Sequence, residues 1–250
     1  MLFSSITKPK RIFPLILLLL CGCGEVRDGN VSETVQNVSE ITQNISEQAQ
    51  KTESAETAEI SAVRNDGVLM FGFTADEFVN SFNAVYSDEY GEDYLTPVSQ
   101  WNCYEACSPL VDNDGMAYCF TEDREILSMP NITLFTDDNG SVYEIMATFD
   151  DHGYQDWLNK KFGIISMNMI ETVLPDMADT EAFYRELYAL AGTNFYGDDY
   201  KFPPSDFYRS GDVGLYSYYG GGTINICAVP ADDELENELS RADCVIHGIE

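Results

Sequence analysis

The sequence predicts an α+β domain in which amphipathic helices pack on one face of an antiparallel sheet. Three observations carry that reading. Apolar residues recur at helical spacing behind a Thr74-x-x-Glu77 capping box, β-rich runs flank Asn139-Gly140, and helix followed by hairpin returns near the C-terminus.

The chain opens with a basic stretch (Lys8, Lys10, Arg11) and an apolar run from Ile12 to Leu20. A helical membrane span needs roughly 20 apolar residues, so this short run reads as an export signal. It ends in Leu20-Cys21-Gly22-Cys23, which resembles the bacterial lipoprotein lipobox. The resemblance covers residues 1–23 and implies diacylglyceryl transfer to Cys23, cleavage before it and acylation or retention of the new N-terminus. Cys21 stands where a small residue is usual, which leaves it as the alternative lipid acceptor. Two acyl chains satisfy the two-signal requirement for stable anchoring, on the outer face of a bacterial cell membrane.

Without Lys8, Lys10 and Arg11 the remaining chain carries 10 basic and 43 acidic residues, a formal charge of −33. Such a surface repels nucleic acid and anionic headgroups, and steers cations or basic proteins toward itself. Residues 24–64 lack aromatics and are rich in Ser, Thr, Glu, Gln and Asn, a composition that cannot bury a core. Within them, segments starting at Asn30, Asn37 and Asn44 repeat with period seven, placing Val31, Val38 and Ile45 at one seam position. Residues 23–64 are therefore a lipid-anchored tether, with a short helical stalk as the alternative. The globular domain is expected over 65–250, divisible into halves 65–152 and 153–250.

Val68–Phe71 reads as a short strand. Behind the capping box, Phe78, Phe82, Val85 and Tyr86 lie on one helix face. The runs 132–135 and 142–149 form a hairpin about Asn139-Gly140, expected as a two-residue type I′ turn with Leu134 opposite Ile145 and Thr136 opposite Tyr143. Residues 157–174 are helical in their second half and stop at Pro175; a second helix runs from Thr180 to Ala191. The strands 213–219 and 223–229 flank Gly220-Gly221-Gly222. Those glycines precede a strand, so they are a turn and not a dinucleotide loop, and no cofactor is implied.

Tyr90-Gly-Glu-Asp-Tyr94 and Tyr196-Gly-Asp-Asp-Tyr200 echo each other, and at the same offset Thr74 aligns with Thr180, Phe78 with Tyr184 and Phe82 with Tyr188. The repetition resembles, in architecture only, tandem helix-plus-sheet modules such as the secreted β-lactamase-inhibitor proteins. No motif is shared, and the likeness implies no activity.

For chemistry, the paired loops offer Glu92, Asp93, Asp198 and Asp199, flanked by Tyr90, Tyr94, Tyr196 and Tyr200. Facing carboxylates would suit glycoside hydrolysis or a cation; solvated turns over packed tyrosines are the simpler reading. No metal centre is expected of the cysteines, since paired zinc spacing is lacking. One disulfide is expected from Cys119 to Cys103 or Cys107, and another between Cys227 and Cys244. His152 follows Asp150-Asp151 without a nucleophile signature. The function expected is non-catalytic binding of a protein or small ligand at the cell surface, with an exported glycoside-type hydrolase as the alternative. Mutating Cys23→Ala should release the protein from membranes or leave it unprocessed, whereas Cys21→Ala should not; fractionation and mass spectrometry of the N-terminus decide it.

Overall fold

The computed structural model describes residues 60–65, 67–107, 114–122, 131–150, 156–191, 195–196, 204–220 and 222–249. Cys23, the heptads, His152 and the Asp198-Asp199-Tyr200 stretch lie outside the described residues. The described strands are β1 (Ala62–Asn65), β2 (Val68–Phe71), β3 (Asn102–Cys107), β4 (Asp114–Thr121), β5 (Asn131–Thr136), β6 (Val142–Asp150), β7 (Phe195–Tyr196), β8 (Asp206–Ser210), β9 (Val213–Gly220), β10 (Thr223–Pro230) and β11 (Val245–Gly248). Helices are α1 (Ala75–Tyr90), α2 (Asp156–Val173), α3 (Thr180–Ala191) and α4 (Asp233–Arg241). The fold is α+β.

The main sheet runs β11-β8-β9-β10-β6-β5-β4-β3, with β7 beside β9, while β1 and β2 form a separate hairpin. Strands β3 to β6 form an antiparallel meander, as do β8 to β10, and the two join where β6 pairs with β10 from Ala228↔Ile145 to Thr223↔Asp150. The sheet is not wholly antiparallel: β11 runs parallel to β8, and β7 parallel to β9. Helix α4 lies between β10 and β11, and that crossover permits a parallel partner.

Leu134 does face Ile145, but Thr136 pairs with Val142 and not Tyr143. The register shifts after Phe135, leaving two residues of β6 against one of β5. The turn differs too. Among residues 137–141 only Gly140 has positive φ (82°), and Gly140 N donates to Asp137 O at 3.0 Å. This is the longer loop of a turn followed by a left-handed glycine, not type I′. Its cause is Asp137, whose Oδ1 accepts from Asn139 N at 2.9 Å and Ser141 N at 2.8 Å. The glycine run does turn β9 into β10, pairing Gly220 with Thr223.

Strand alternation divides the sheet into two faces. On the first, Ile132, Leu134, Ile145, Ala147, Phe149, Leu215, Ile224, Ile226 and Ala228 share one core with Phe78 and Phe82 of α1, Phe162, Ile165 and Met169 of α2, and Leu187 of α3. On the second, Phe207, Tyr216, Tyr218, Cys227 and Val229 pack with Leu239 of α4. Helices therefore cover both faces, not one. The physical reason is that β9 and β10 are buried along nearly their whole length, so each face needs a cover. Hairpin β1–β2 closes the remaining part: Met70 joins Phe135 and Tyr143 on the second face, while adjacent Phe71 joins the helix-side core.

Thr74 caps α1 with the expected reciprocal box. Helix α2 extends back to Asp156, nearly three turns before the expected half. In α3 the cap is Asp179, whose Oδ1 accepts from Ala182 N at 3.0 Å, so Thr180 is already helical and does not repeat the role of Thr74. Helix α4 escaped sequence reading because its only apolar signal is Leu235 and Leu239 one turn apart. Asp232 caps it, accepting from Leu235 N at 2.9 Å.

The folded region begins before Asp66-Gly67. Strand β1 lies inside the stretch expected as tether, and Gly67 (φ 90°) is the turn of its hairpin. Arg64 is bound to Asp232 by Nε at 2.8 Å and Nη2 at 3.0 Å, and Ala62 N donates to Asp212 Oδ2 at 3.1 Å. The expected disulfides are absent: Cys103, Cys119, Cys227 and Cys244 are free thiols. Cys103 pairs with Tyr118 and Cys119 with Asn102, which puts the two thiols on opposite faces of the ladder.

Hydrogen bonds from Arg64 hold the Asp232 carboxyl below the usual range. A depressed folded pKa means stability that is complete above the ordinary value of about 3.9 and lost as pH falls through the folded one. Asp232→Asn, which keeps a capping side chain, should cost about 0.5–1 kcal/mol at neutral pH for this partly exposed pair and flatten the acid limb of the melting profile. Asp232→Ala also removes the cap and should cost about 1–2 kcal/mol. Chains truncated to start at Ser61 and at Gly67 should differ, the second melting several degrees lower by calorimetry.

Candidate functional site

Phe78, Phe82, Tyr86 and Tyr90 recur every fourth residue along α1 and so form one stripe. Phe78 and Phe82 are 1% and 0% exposed, Tyr86 is half-buried, and Tyr90 is 40% exposed. Ring centroids follow at 6.0 Å (Phe78–Phe82), 6.2 Å (Phe82–Tyr86) and 4.5 Å (Tyr86–Tyr90). The stripe thus runs out of the core onto the surface in its last turn.

Gly91 (φ 80°) ends the helix in the left-handed conformation, its N donating to Ser87 O at 2.8 Å. The chain then folds back along α1. Asn83 fixes that return: its Oδ1 accepts from Tyr94 N at 3.1 Å and Leu95 N at 2.8 Å, and its Nδ2 donates to Leu95 O at 2.8 Å. Tyr94 is thereby laid 5.0 Å from Tyr86 and 5.4 Å from Phe120.

A cation from α2 already uses this surface. Lys161 Nζ stands 5.5 Å above the Tyr94 ring and is ion-paired with Glu122. The Tyr94 hydroxyl donates to Glu122 Oε2 at 3.4 Å. Burial, then the negative charge of Glu122, pushes the Tyr94 phenol well above its ordinary value. Tyr90 is pushed up to about 12 by burial first and then by Glu89, and Tyr86 is raised by burial, Glu122, Glu92 and Glu89. All three phenols stay neutral at working pH. Neutral rings beside carboxylates accept cations and exchange hydrogen bonds; they supply no nucleophile.

Of the residues singled out by sequence, Tyr90 and Tyr94 meet through Tyr86, and Glu92 and Asp93 are exposed at the loop between them. Tyr196 is placed only by its backbone pairing with Gly220; its side chain, and Asp198, Asp199 and Tyr200, lie outside the described residues. Sequence reading missed Asn83, Glu122 and Lys161, which reach the site from three elements. The four-residue spacing of the aromatics was the signal available for Tyr86.

Two other polar clusters are structural. The Tyr216 hydroxyl donates to buried Glu144 at 2.6 Å on the second face, beside Cys227. Burial pushes the Cys227 thiol well up, which keeps it unreactive. His247 stacks on Tyr208 at 4.7 Å and bonds Asp206 through Nε2 at 2.8 Å, fastening β11 to β8. Among the described residues no group of three or more His, Cys, Asp or Glu side chains is arranged to hold a metal ion. No protein-family model, curated protein or solved structure matches the chain.

Calcium wants six or more oxygens, which Glu92 and Asp93 alone do not supply. Millimolar calcium should therefore raise the melting temperature no more than magnesium at matched ionic strength. A calcium-specific rise abolished by Asp93→Asn or Asp199→Asn would make the paired loops a cation site.

Proposed function

We propose that this is an extracytoplasmic lipoprotein, anchored through Cys23, whose α+β domain is a non-catalytic binding module working through the Tyr86-Tyr90-Tyr94 surface. The observation that carries the reading is the aromatic stripe of α1, which continues one turn past the core it serves and leaves Tyr90 40% exposed. A large ring on a rigid helix offers contact area at small entropic cost, which is why tyrosine is enriched where proteins meet. The anchor rests on the lipobox. No helix among the described residues is long and apolar enough to cross a membrane. A glycosidase would depend on Asp198 and Asp199 facing Glu92 or Asp93, and no described observation favours that arrangement.

The test is a photo-crosslinking phenylalanine analogue at position 90 in the membrane-bound chain, with the same analogue at exposed Asp138 as control. A discrete adduct from position 90 and none from position 138 is expected. Equal labelling from both, or none from either, would overturn the assignment of the surface.

A further inference from the structure

Resting on that reading of the surface, we propose that its partner is a basic protein segment, and that Tyr90 receives a lysine or arginine side chain of that segment much as Tyr94 receives Lys161.

Three observations converge on this chemistry. The first is the internal precedent. Lys161 lies over the Tyr94 ring with its ammonium paired to Glu122, so the surface already binds one cation by a ring and a carboxylate together. The second is that the same pair of groups recurs one ring further out. The Tyr90 ring lies 4.5 Å from Tyr86, tilted by 32°, and the carboxylates of Glu89 and Glu171 act on its phenol. The third is the field. Beside 43 acidic residues the whole chain has only 13 basic ones, so a basic partner is drawn in at long range and an acidic one is repelled.

The geometry also says what kind of cation is held. Tyr90 and Tyr94 are each tilted 32° from the plane of Tyr86, their centroids 4.5 Å and 5.0 Å from it. With Tyr86 4.5 Å away and Tyr90 40% exposed, an arriving ammonium meets one ring there and not an enclosing cage. A free small cation would have one face to rest on and would bind weakly. A side chain delivered by a larger body needs no enclosure, because contacts elsewhere on that body, with the exposed rim of Glu89, Glu92 and Asp93, hold it in place.

The experiment uses the full-length chain in detergent, titrated by fluorescence anisotropy with a labelled lysine-glycine peptide, its glutamate-glycine counterpart, a serine-glycine peptide and spermidine as competitor. The chain is compared with Tyr90→Phe, which keeps the ring face, and Tyr90→Leu, which keeps bulk without it. The basic peptide should bind in a salt-sensitive manner, Tyr90→Phe should stay within about twofold, and Tyr90→Leu should weaken binding about three- to tenfold. Unchanged melting of the leucine variant excludes misfolding as the cause. Binding that salt abolishes but Tyr90→Leu does not touch would overturn the role of the ring. Spermidine binding as tightly as the peptide would overturn a protein partner. Tyr90-dependent binding of the neutral or acidic peptide, or no binding of any, would overturn the basic partner while the crosslinking result at position 90 still judges the surface itself.

Discussion

The pairing of β6 with β10 is the constraint on which the structure depends. Each strand ends one meander, and their registered contact from Ala228↔Ile145 to Thr223↔Asp150 turns two small sheets into one. The central strands β9 and β10 carry buried side chains on both faces, and both faces are therefore covered. The first face receives α1, α2 and α3; the second receives α4 and, through Met70, hairpin β1–β2. Even the polar groups obey this demand. Glu144, fully buried on β6, accepts the Tyr216 hydroxyl from β9, two strands away across β10.

Covering the second face requires α4, and α4 is nearly all acid in its first turn. Carboxylates there suit the helix dipole, yet alone they would repel one another on so negative a protein. Two of the few arginines meet them from different strands. Arg64 of β1 binds Asp232, and Arg209 of β8 reaches Asp233 at 2.9 Å and Glu236 at 2.6 Å. Lys161 is likewise drawn to Glu122. Arg64, Arg209 and Lys161 are therefore placed where separate elements meet.

The candidate surface follows from the same packing. An aromatic every fourth residue is the ordinary way for a helix to bury one face, and Phe78 and Phe82 do that. Tyr86 and Tyr90 extend the pattern beyond the depth of the core, and the Asn83-fastened return of the chain adds Tyr94 beside them. A hydroxyl on each ring suits a position that is apolar on one side and wet on the other.

Local periodicity and capping chemistry were enough to read α1, α3, β2 and both principal hairpins, because each is specified by contacts within a few residues. The proposed lipid anchor also rests on a short local pattern. What the sequence did not show was set by side-chain bonds that override a turn signal and by partners farther along the chain. The turn at Asn139-Gly140 depended on the Asp137 carboxylate, and the β6 register on a bulge against β5. Helix α4 is too polar to declare itself without the second face it covers, and β1 joins the fold only because Asp212 and Asp232 await it. Cys103 and Cys119 looked bondable in sequence, yet a one-residue offset in the β3–β4 pairing sends them to opposite faces. Tyr90 and Tyr94 were visible as candidates from the repeated Tyr-Gly-acid-acid-Tyr loop. Only the tertiary structure set Tyr86 between them and Lys161 with Glu122 beside Tyr94, since α1, α2 and β4 meet there through packing of the core and not through any local rule.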